Sequence, residues 1–344
     1  SFLGVLFLIP QYLQFVRGLN SLRVGLLMLP FGAAIALTTL LAPIALRRVG
    51  NREVLASSVI LAIVALGTLC LLGHHHGELV VLIGEIILGI AMTEPGTGSD
   101  LANVQTTAIR DGDAYVLNGS KTFISNGQIG DLFVVVAKTD PASDPPHRGS
   151  SLLLVEAKTP GFVRGRKLDK LGLRGQDTSE LFFQDCRVPV ANLLGGHEGR
   201  GFKQLMQKLQ QERLCIAVAS IASCRRALDD TMDYVKQRRA FGQPIAGFQH
   251  IQFRLAELAT EVEVGQAFTD KLLAAHVRKE SIVTEVSMAK WWTTDLQKRL
   301  PAECLQLHGG YGFMLEYPIS TDYADAAVQS IYAGTNEIMK RIIA

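Results

Sequence analysis

The tripeptide Gly199-Arg200-Gly201 marks a change in the hydrophobic pattern of this 344-residue chain. After it, apolar residues recur at the spacing of amphipathic helices. The pattern predicts four long helices, at about residues 202–238, 244–279, 282–308 and 317–343. Long helices joined by short loops that contain Gly and Pro indicate an antiparallel four-helix bundle.

Before the tripeptide, from about residue 91 to 192, short apolar runs alternate with turn residues. The dipeptides Asp111-Gly112 and Asn118-Gly119 are typical of tight turns between strands. The pattern indicates an antiparallel β-domain. Three apolar runs predict strands of about five residues: Leu132–Ala137, Ser151–Glu156 and Glu180–Phe183.

The first 92 residues differ in composition from the rest, since they hold only eight charged side chains. Val24–Leu46 is 23 residues without a charge, and Val54–Gly73 is 20. Each run is long enough to cross a hydrocarbon core about 30 Å thick as a helix. We therefore expect transmembrane α-helices here. The alternative is a set of buried helices in a large soluble protein.

Four phrases in this apolar part resemble a fragment of a major facilitator superfamily drug:proton antiporter, over about residues 1–80. They are Tyr12-Leu13-Gln14, the run 25–30, Ala42-Pro43 and the loop Arg47-Arg48-Val49-Gly50. A loop with several arginines between two spans is expected on the cytoplasmic side. The resemblance implies membrane helices at the N-terminus of the chain.

Charge and cysteine content exclude several classes of protein. The chain has 34 basic and 32 acidic residues, for a net charge of +2, which argues against a nucleic-acid-binding protein. Its five cysteines are scattered, and no CxxC or zinc-type spacing occurs. This pattern favours a reducing compartment and predicts neither a disulfide framework nor a metal site.

Five phrases, that is, short sequence motifs, in the last 257 residues contain the candidate functional residues. They are Ala91–Asp100, Lys121–Gly127, Arg238–Gly242 with Phe248-Gln249, Gln306–Gly312 and Ile331–Glu337. In this order and spacing they resemble the FAD-dependent acyl-CoA dehydrogenase family, of the long-chain type, over residues 88–344. The resemblance implies a middle β-domain at 89–192 and a C-terminal four-helix bundle at 193–344. The family's usual N-terminal helical domain is expected to be absent, with transporter-like helices at 1–88 in its place.

The expected fold class is therefore multidomain α and β: transmembrane α-helices, then an antiparallel β-domain, then an antiparallel four-helix bundle. The resemblance implies FAD as cofactor. Small residues at Gly96 and Gly98 allow a ring or phosphate to approach the backbone closely, and Arg238 can pair with a pyrophosphate. A simpler interpretation of Arg238 is a cation that complements a helix dipole. The expected cofactor-binding residues are Met92, Thr93, Ser99, Phe123, Ile124, Ser125, Arg238, Phe241, Gln249, Gln306, Gly309, Gly310, Thr335 and Glu337.

Family members need a carboxylate that removes a proton from the substrate α-carbon. Many place this glutamate directly before the Gly-Thr of the last phrase, where this chain has Ala333. Long-chain-type members place it in a Glu-Arg-Leu phrase, which matches Glu212-Arg213-Leu214 here. We therefore predict Glu212 as the catalytic base, the alternative being a solvated helix charge. The expected substrate-binding residues are Ser99, Arg213, Ala333 through its backbone N–H, and Gly334.

The resemblance implies α,β-dehydrogenation of an acyl-CoA thioester, with an electron-transfer flavoprotein as acceptor and a homo-oligomer, a tetramer or a dimer, as the assembly. The antiporter-like helices imply the bacterial inner membrane, with the dehydrogenase part in the cytoplasm. Two alternatives stay open at this point. One is a catalytically inactive chimeric remnant, and the other is a membrane transporter fragment with a passenger domain.

Overall fold

In the computed structural model, residues 88–344 are described and form one unit. The first half of this unit is a seven-stranded sheet. Its strands are β1 (Leu88–Ala91), β2 (Thr107–Asp111), β3 (Ala114–Ser125), β4 (Leu132–Lys138), β5 (Ser150–Glu156), β6 (Phe162–Lys167) and β7 (Thr178–Pro189). The three predicted strands are confirmed as β4, β5 and part of β7.

The expectation of an antiparallel β-domain is wrong for two of the pairings. The strand order is β1-β4-β2-β3-β7-β6, with β5 on the other side of β4. Strands β1 and β2 both run parallel to β4, whereas the β2–β3, β3–β7, β4–β5 and β6–β7 pairs are antiparallel. Turn dipeptides reveal hairpins but not pairings between strands that are distant in sequence, so the sequence pattern could not reveal these parallel neighbours.

Of the two predicted turns, only one is a turn. Gly112, with φ +62°, lies in the loop that joins β2 to β3. Asn118-Gly119 instead lies within β3, at a shift in the β3–β7 register. A Cβ at Gly119 would lie 2.5 Å from the Thr106 Oγ1. The glycine therefore permits close packing of β3 against Thr106 and does not reverse the chain.

The second half of the unit is helical. Its helices are α1 (Gly201–Gln237), α2 (Gln249–Val277), α3 (Val283–His308), α4 (Pro318–Ala326) and α5 (Asn336–Ile343). A short hairpin of β8 (Arg239–Ala240) and β9 (Gln243–Pro244) joins α1 to α2. Three of the predicted long helices are confirmed, the second beginning a few residues later than expected.

The predicted fourth long helix, and with it the regular four-helix bundle, is wrong. Residues 317–343 form the two short helices α4 and α5. Ala333 has φ +52° and Gly334 has φ +91°, and neither value is compatible with a right-handed helix. Thr335 then starts α5 as an N-cap whose side chain accepts a hydrogen bond from the Ile338 amide.

Each half has its own apolar core. Tyr115, Phe133 and Leu153 are fully buried in the sheet, while Ile221 and Leu300 are fully buried among the helices. None of the helices between residues 88 and 344 is long and apolar enough to cross a membrane. The predicted spans 24–46 and 54–73, and the antiporter-like phrases, lie outside the described residues.

Candidate active site

The first two phrases are joined by a buried ion pair. The Lys121 Nζ lies 2.8 Å from the Glu94 Oε1 and donates a second hydrogen bond to the Met92 carbonyl at 3.1 Å. The Glu94 carboxylate also accepts the backbone amides of Gln105 at 2.5 Å and Thr106 at 2.9 Å. The loop between β1 and β2 is thereby held at both ends against β3.

The surroundings of this pair shift the pKa values of both residues. Burial lowers the pKa of Lys121 to about 8, against the opposing effect of the Glu94 carboxylate. Burial by itself would raise the pKa of Glu94, but Lys121 and the hydrogen bonds from Thr106 and Gln105 bring it below its ordinary value. Neither residue has a role that the sequence motifs predict. The sequence signal that could have pointed to this ion pair is a lysine at a strand position whose side chain faces the core.

The predicted flavin-contacting residues of these two phrases lie on neighbouring backbone. The Thr122 amide donates to the Thr93 carbonyl at 2.9 Å, which places Met92 and Thr93 beside β3. Phe123 is 67% exposed at φ +59°, at an irregularity in the β3–β7 register. Ser99 and Ser125 are also exposed. Ile124 is the exception, because its side chain is 2% exposed in the core and leaves only its backbone for a ligand.

The predicted base lies on α1. Glu212 is half-buried, and its carboxylate has no hydrogen bond or ion pair among residues 88–344. Burial raises its pKa, and the charge of Arg213 only partly opposes this effect. A solvated helix charge, the alternative interpretation, would keep its ordinary pKa. A half-buried carboxylate with a raised pKa has the properties that a general base requires.

Arg213 connects α1 to the turn that precedes α5. Its side chain is buried, and the Nε donates to the Ala333 carbonyl at 3.3 Å. A Cβ at Gly334 would lie 3.5 Å from the Arg213 Nη2. Of the four predicted substrate-binding residues, Arg213, Ala333 and Gly334 therefore lie together, and Arg213 follows Glu212 directly in α1. Ser99 is on the loop between β1 and β2, which is part of the sheet half.

A second group of predicted residues lines a cavity of about 510 Å³. Arg238, Gln306, Gly309 and Gly310 all border it, and the Arg238 guanidinium lies 5.6 Å from the centre of the Tyr311 ring. A Cβ at Gly309 or Gly310 would meet nothing within 4 Å, so these glycines leave space at the wall. The size and the single cation suit the phosphate-bearing half of a dinucleotide.

The remaining four predicted cofactor-binding residues belong neither to the first two phrases nor to the lining of this cavity. Phe241 is 95% exposed at φ +51°, and Gln249 is exposed at the start of α2. Thr335 caps α5 and Glu337 lies exposed in its first turn. Tyr234, which no sequence motif indicated, also lines the cavity. Its ring stacks on His308 with 4.2 Å between ring centres, and its hydroxyl donates to the His308 carbonyl.

Comparisons with known proteins cover almost all of the described residues. Residues 89–186 match the family model of the acyl-CoA dehydrogenase middle domain, and residues 199–344 match that of the acyl-CoA dehydrogenase C-terminal domain. The chain is 52% identical over 261 residues to the mitochondrial long-chain specific acyl-CoA dehydrogenase of Mus musculus. That match covers 76% of this chain and 60% of the mouse protein.

A bacterial relative and a solved structure extend the similarity. The acyl-CoA dehydrogenase of Bacillus subtilis (strain 168) is 42% identical over 260 residues, which are 76% of this chain and 68% of the relative. The crystal structure of an acyl-CoA dehydrogenase from Geobacillus kaustophilus has a TM-score of 0.76 at 53% identity. It covers 87% of this chain and 73% of the solved one. Against the mouse long-chain protein, however, the chain spans only about 60% of the relative's length.

Proposed function

The chain belongs to the acyl-CoA dehydrogenase family, and we propose from this premise that it catalyses FAD-dependent α,β-dehydrogenation of an acyl-CoA thioester of the long-chain type. The observation that carries the proposal is the half-buried Glu212 carboxylate, unpaired among the described residues and with a raised pKa. Its neighbour in sequence, Arg213, donates to the Ala333 carbonyl of the left-handed turn before α5. Family membership supports this activity over an inactive remnant or a transporter with a passenger domain.

In this reaction the Glu212 carboxylate accepts the proton from the substrate α-carbon. Its raised pKa makes it a stronger base than an exposed glutamate. The Ala333 backbone N–H donates to the thioester oxygen, where negative charge develops as the proton leaves. The buried Arg213 holds the turn that carries this N–H through its bond to the Ala333 carbonyl. Bound FAD supplies the hydride acceptor at its N5 atom.

The residues around the cavity fit the other end of FAD. Arg238 would pair with the pyrophosphate of FAD, and Gln306, Gly309 and Gly310 would line its adenosine half. Together with Phe241 and Gln249, these residues are proposed to bind the adenosine end of FAD across a subunit interface of a homo-oligomer, which is consistent with the exposure of the Phe241 and Gln249 side chains. Met92, Thr93, Ser99, Phe123, Ser125 and the Ile124 backbone are proposed to border the flavin ring, with Thr335 and Glu337 as further contacts.

An electron-transfer flavoprotein is proposed as the acceptor of the electrons, by resemblance to the family. For the residues before Leu88 we propose membrane helices of the antiporter type. They would hold the chain in a bacterial inner membrane with the dehydrogenase part in the cytoplasm. The two long uncharged runs and the arginine-rich loop support this proposal. Recovery of the full chain in the soluble fraction of lysed cells, without detergent, would contradict it.

The visible spectrum of the purified chain tests the proposed function. Bound FAD should bleach when a long-chain acyl-CoA is added under anaerobic conditions, because the hydride reduces the flavin. The control is the same addition of free coenzyme A, which has no acyl chain to oxidise. Bound flavin that stays yellow with acyl-CoA of every chain length would favour the inactive remnant.

Replacement of Arg238 by glutamine should weaken FAD binding. A charge-assisted hydrogen bond contributes about 1.5–3 kcal/mol, so the dissociation constant is expected to rise about 10- to 100-fold. Titration of the apoprotein with FAD, followed by flavin fluorescence, measures the change. Arg148→Gln is the matched control, since Arg148 is exposed and far in sequence from the cavity residues. If both variants bind FAD with equal affinity, Arg238 does not bind the cofactor, and its role is that of a cation at the end of a helix.

A further inference from the structure

Lys290 is a fully buried cation to which the proposed reaction assigns no role. It lies on α3 with 0% of its surface exposed, and its buried neighbours on the helix are Val286, Ala289 and Thr293. Its ammonium group donates to the Gly334 carbonyl at 2.8 Å and to the Asn336 Oδ1 at 3.2 Å. Lysine is seldom buried completely unless a specific contact holds it.

Both acceptors of Lys290 are neutral. Burial and the charge of Arg213 on α1 together lower its pKa to about 8, against the opposing effect of Glu337 on α5. Among the described residues no carboxylate forms an ion pair with it. The interior therefore holds two cations close together, and both are directed at backbone carbonyls of the same turn.

The two cations bind consecutive carbonyls. Arg213 donates to the Ala333 oxygen and Lys290 to the Gly334 oxygen. Both turn residues have left-handed φ values, +52° at Ala333 and +91° at Gly334. A non-glycine residue in this conformation persists only where its surroundings fix it. The turn is fixed from α1 and from α3 at the same time.

We propose that Lys290 is a positioning residue for the substrate site: its ammonium group holds the Gly334 carbonyl and so fixes the Ala333–Gly334 turn against Arg213, the residue that follows Glu212 in α1. This inference rests on the proposed function, because it assigns the turn to thioester binding. Lys290 itself touches neither substrate nor cofactor in this role.

The docking of α5 does not depend on Lys290 alone. The Asn336 side chain also accepts a hydrogen bond from Thr294 at 3.1 Å and donates to the Trp291 carbonyl at 3.2 Å. The Asn336 backbone N–H donates to the Ser330 carbonyl. Removal of the Lys290 ammonium should therefore loosen the turn while α5 stays attached to α3.

The test compares Lys290→Met with Lys298→Met, since Lys298 is an exposed lysine on the same helix. Hydrogen–deuterium exchange, read by mass spectrometry on peptides covering residues 330–337, reports whether the turn is loosened. Stopped-flow reduction of the bound flavin at saturating long-chain acyl-CoA reports the rate of the reaction. In Lys290→Met, exchange at 330–337 should be faster, and the reduction rate should fall about 10- to 100-fold, because small displacements at a reacting site have effects of this size. FAD content and the dissociation constant of acyl-CoA should change much less than the rate.

Each outcome decides the proposal. Unchanged exchange in Lys290→Met overturns it, and so does faster exchange with an unchanged reduction rate, which is the result of a structural role alone. If Lys290→Met does not fold, Lys290→Gln serves instead, because its amide keeps one donor but no charge, and a smaller change in the same direction is expected. If no acyl-CoA bleaches the flavin of the wild-type protein, the proposed function is wrong. The positioning role of Lys290, which rests on that function, is then wrong as well. Bleaching in the wild type and an equal rate in the variant refute only the role of Lys290.

Discussion

Glu212→Gln is expected to slow the reduction of bound flavin by acyl-CoA about 10²- to 10⁴-fold, the range by which a positioned general base accelerates proton transfer. Glutamine has almost the shape of glutamate but cannot accept the α-proton. The loss should therefore lie in the rate at saturating acyl-CoA, while the FAD content and the fold stay unchanged. Anaerobic stopped-flow absorbance of the flavin measures this rate.

A matched control is Asp229→Asn, the same chemical change at an exposed position of the same helix. It should reduce its flavin at the wild-type rate. An undiminished rate in Glu212→Gln would place the base elsewhere.

The reduction rate should also depend on pH through Glu212. Burial raises its pKa above the ordinary 4.5. Below that raised pKa the carboxyl is protonated and cannot accept a proton, so the rate should increase as the pH rises through it and then level off. A pH series of the wild type and of Glu212→Gln checks this assignment, since the residual rate of the variant should lack this rising limb.

Lys121→Met should lower the free energy of unfolding by about 3–5 kcal/mol, the usual effect of removing one partner of a buried ion pair. The Glu94 carboxylate would stay buried, with only the amides of Gln105 and Thr106 as partners. Urea denaturation followed by circular dichroism measures the change in midpoint and slope. A variant with almost wild-type stability would mean that Glu94 takes up a proton or reaches water.

Two further variants separate the charge effect from general disruption. Arg187→Met removes an exposed partner of Asp111 and should change stability by no more than about 1 kcal/mol. The double variant Lys121→Met with Glu94→Gln removes both buried charges and should be more stable than Lys121→Met alone, because no unpaired charge remains. A double variant that is less stable than either single variant would contradict this explanation.

Local sequence patterns predicted the regular elements well. The apolar runs of β4 and β5 and the amphipathic spacing of α1 and α3 each reflect one segment and its own periodicity. The pattern failed where distant segments decide the conformation. Asn118-Gly119 has the composition of a turn, but it lies within β3 because Thr106 packs against it. The predicted fourth helix is interrupted between Ala326 and Asn336, and nothing in the sequence indicates that Ala333 adopts a left-handed conformation there.

The candidate site shows the same division. The sequence by itself determined the family resemblance, the Glu-Arg-Leu phrase at Glu212 and the lack of a carboxylate at residue 333. Only the tertiary structure showed that Glu212 is half-buried with a raised pKa, and that Arg213 and Lys290 converge on consecutive carbonyls of one turn. Residue types and spacing are properties of the chain. Burial, pKa and hydrogen-bond partners depend on segments about 120 residues apart in the case of Arg213 and Ala333, which only packing brings together.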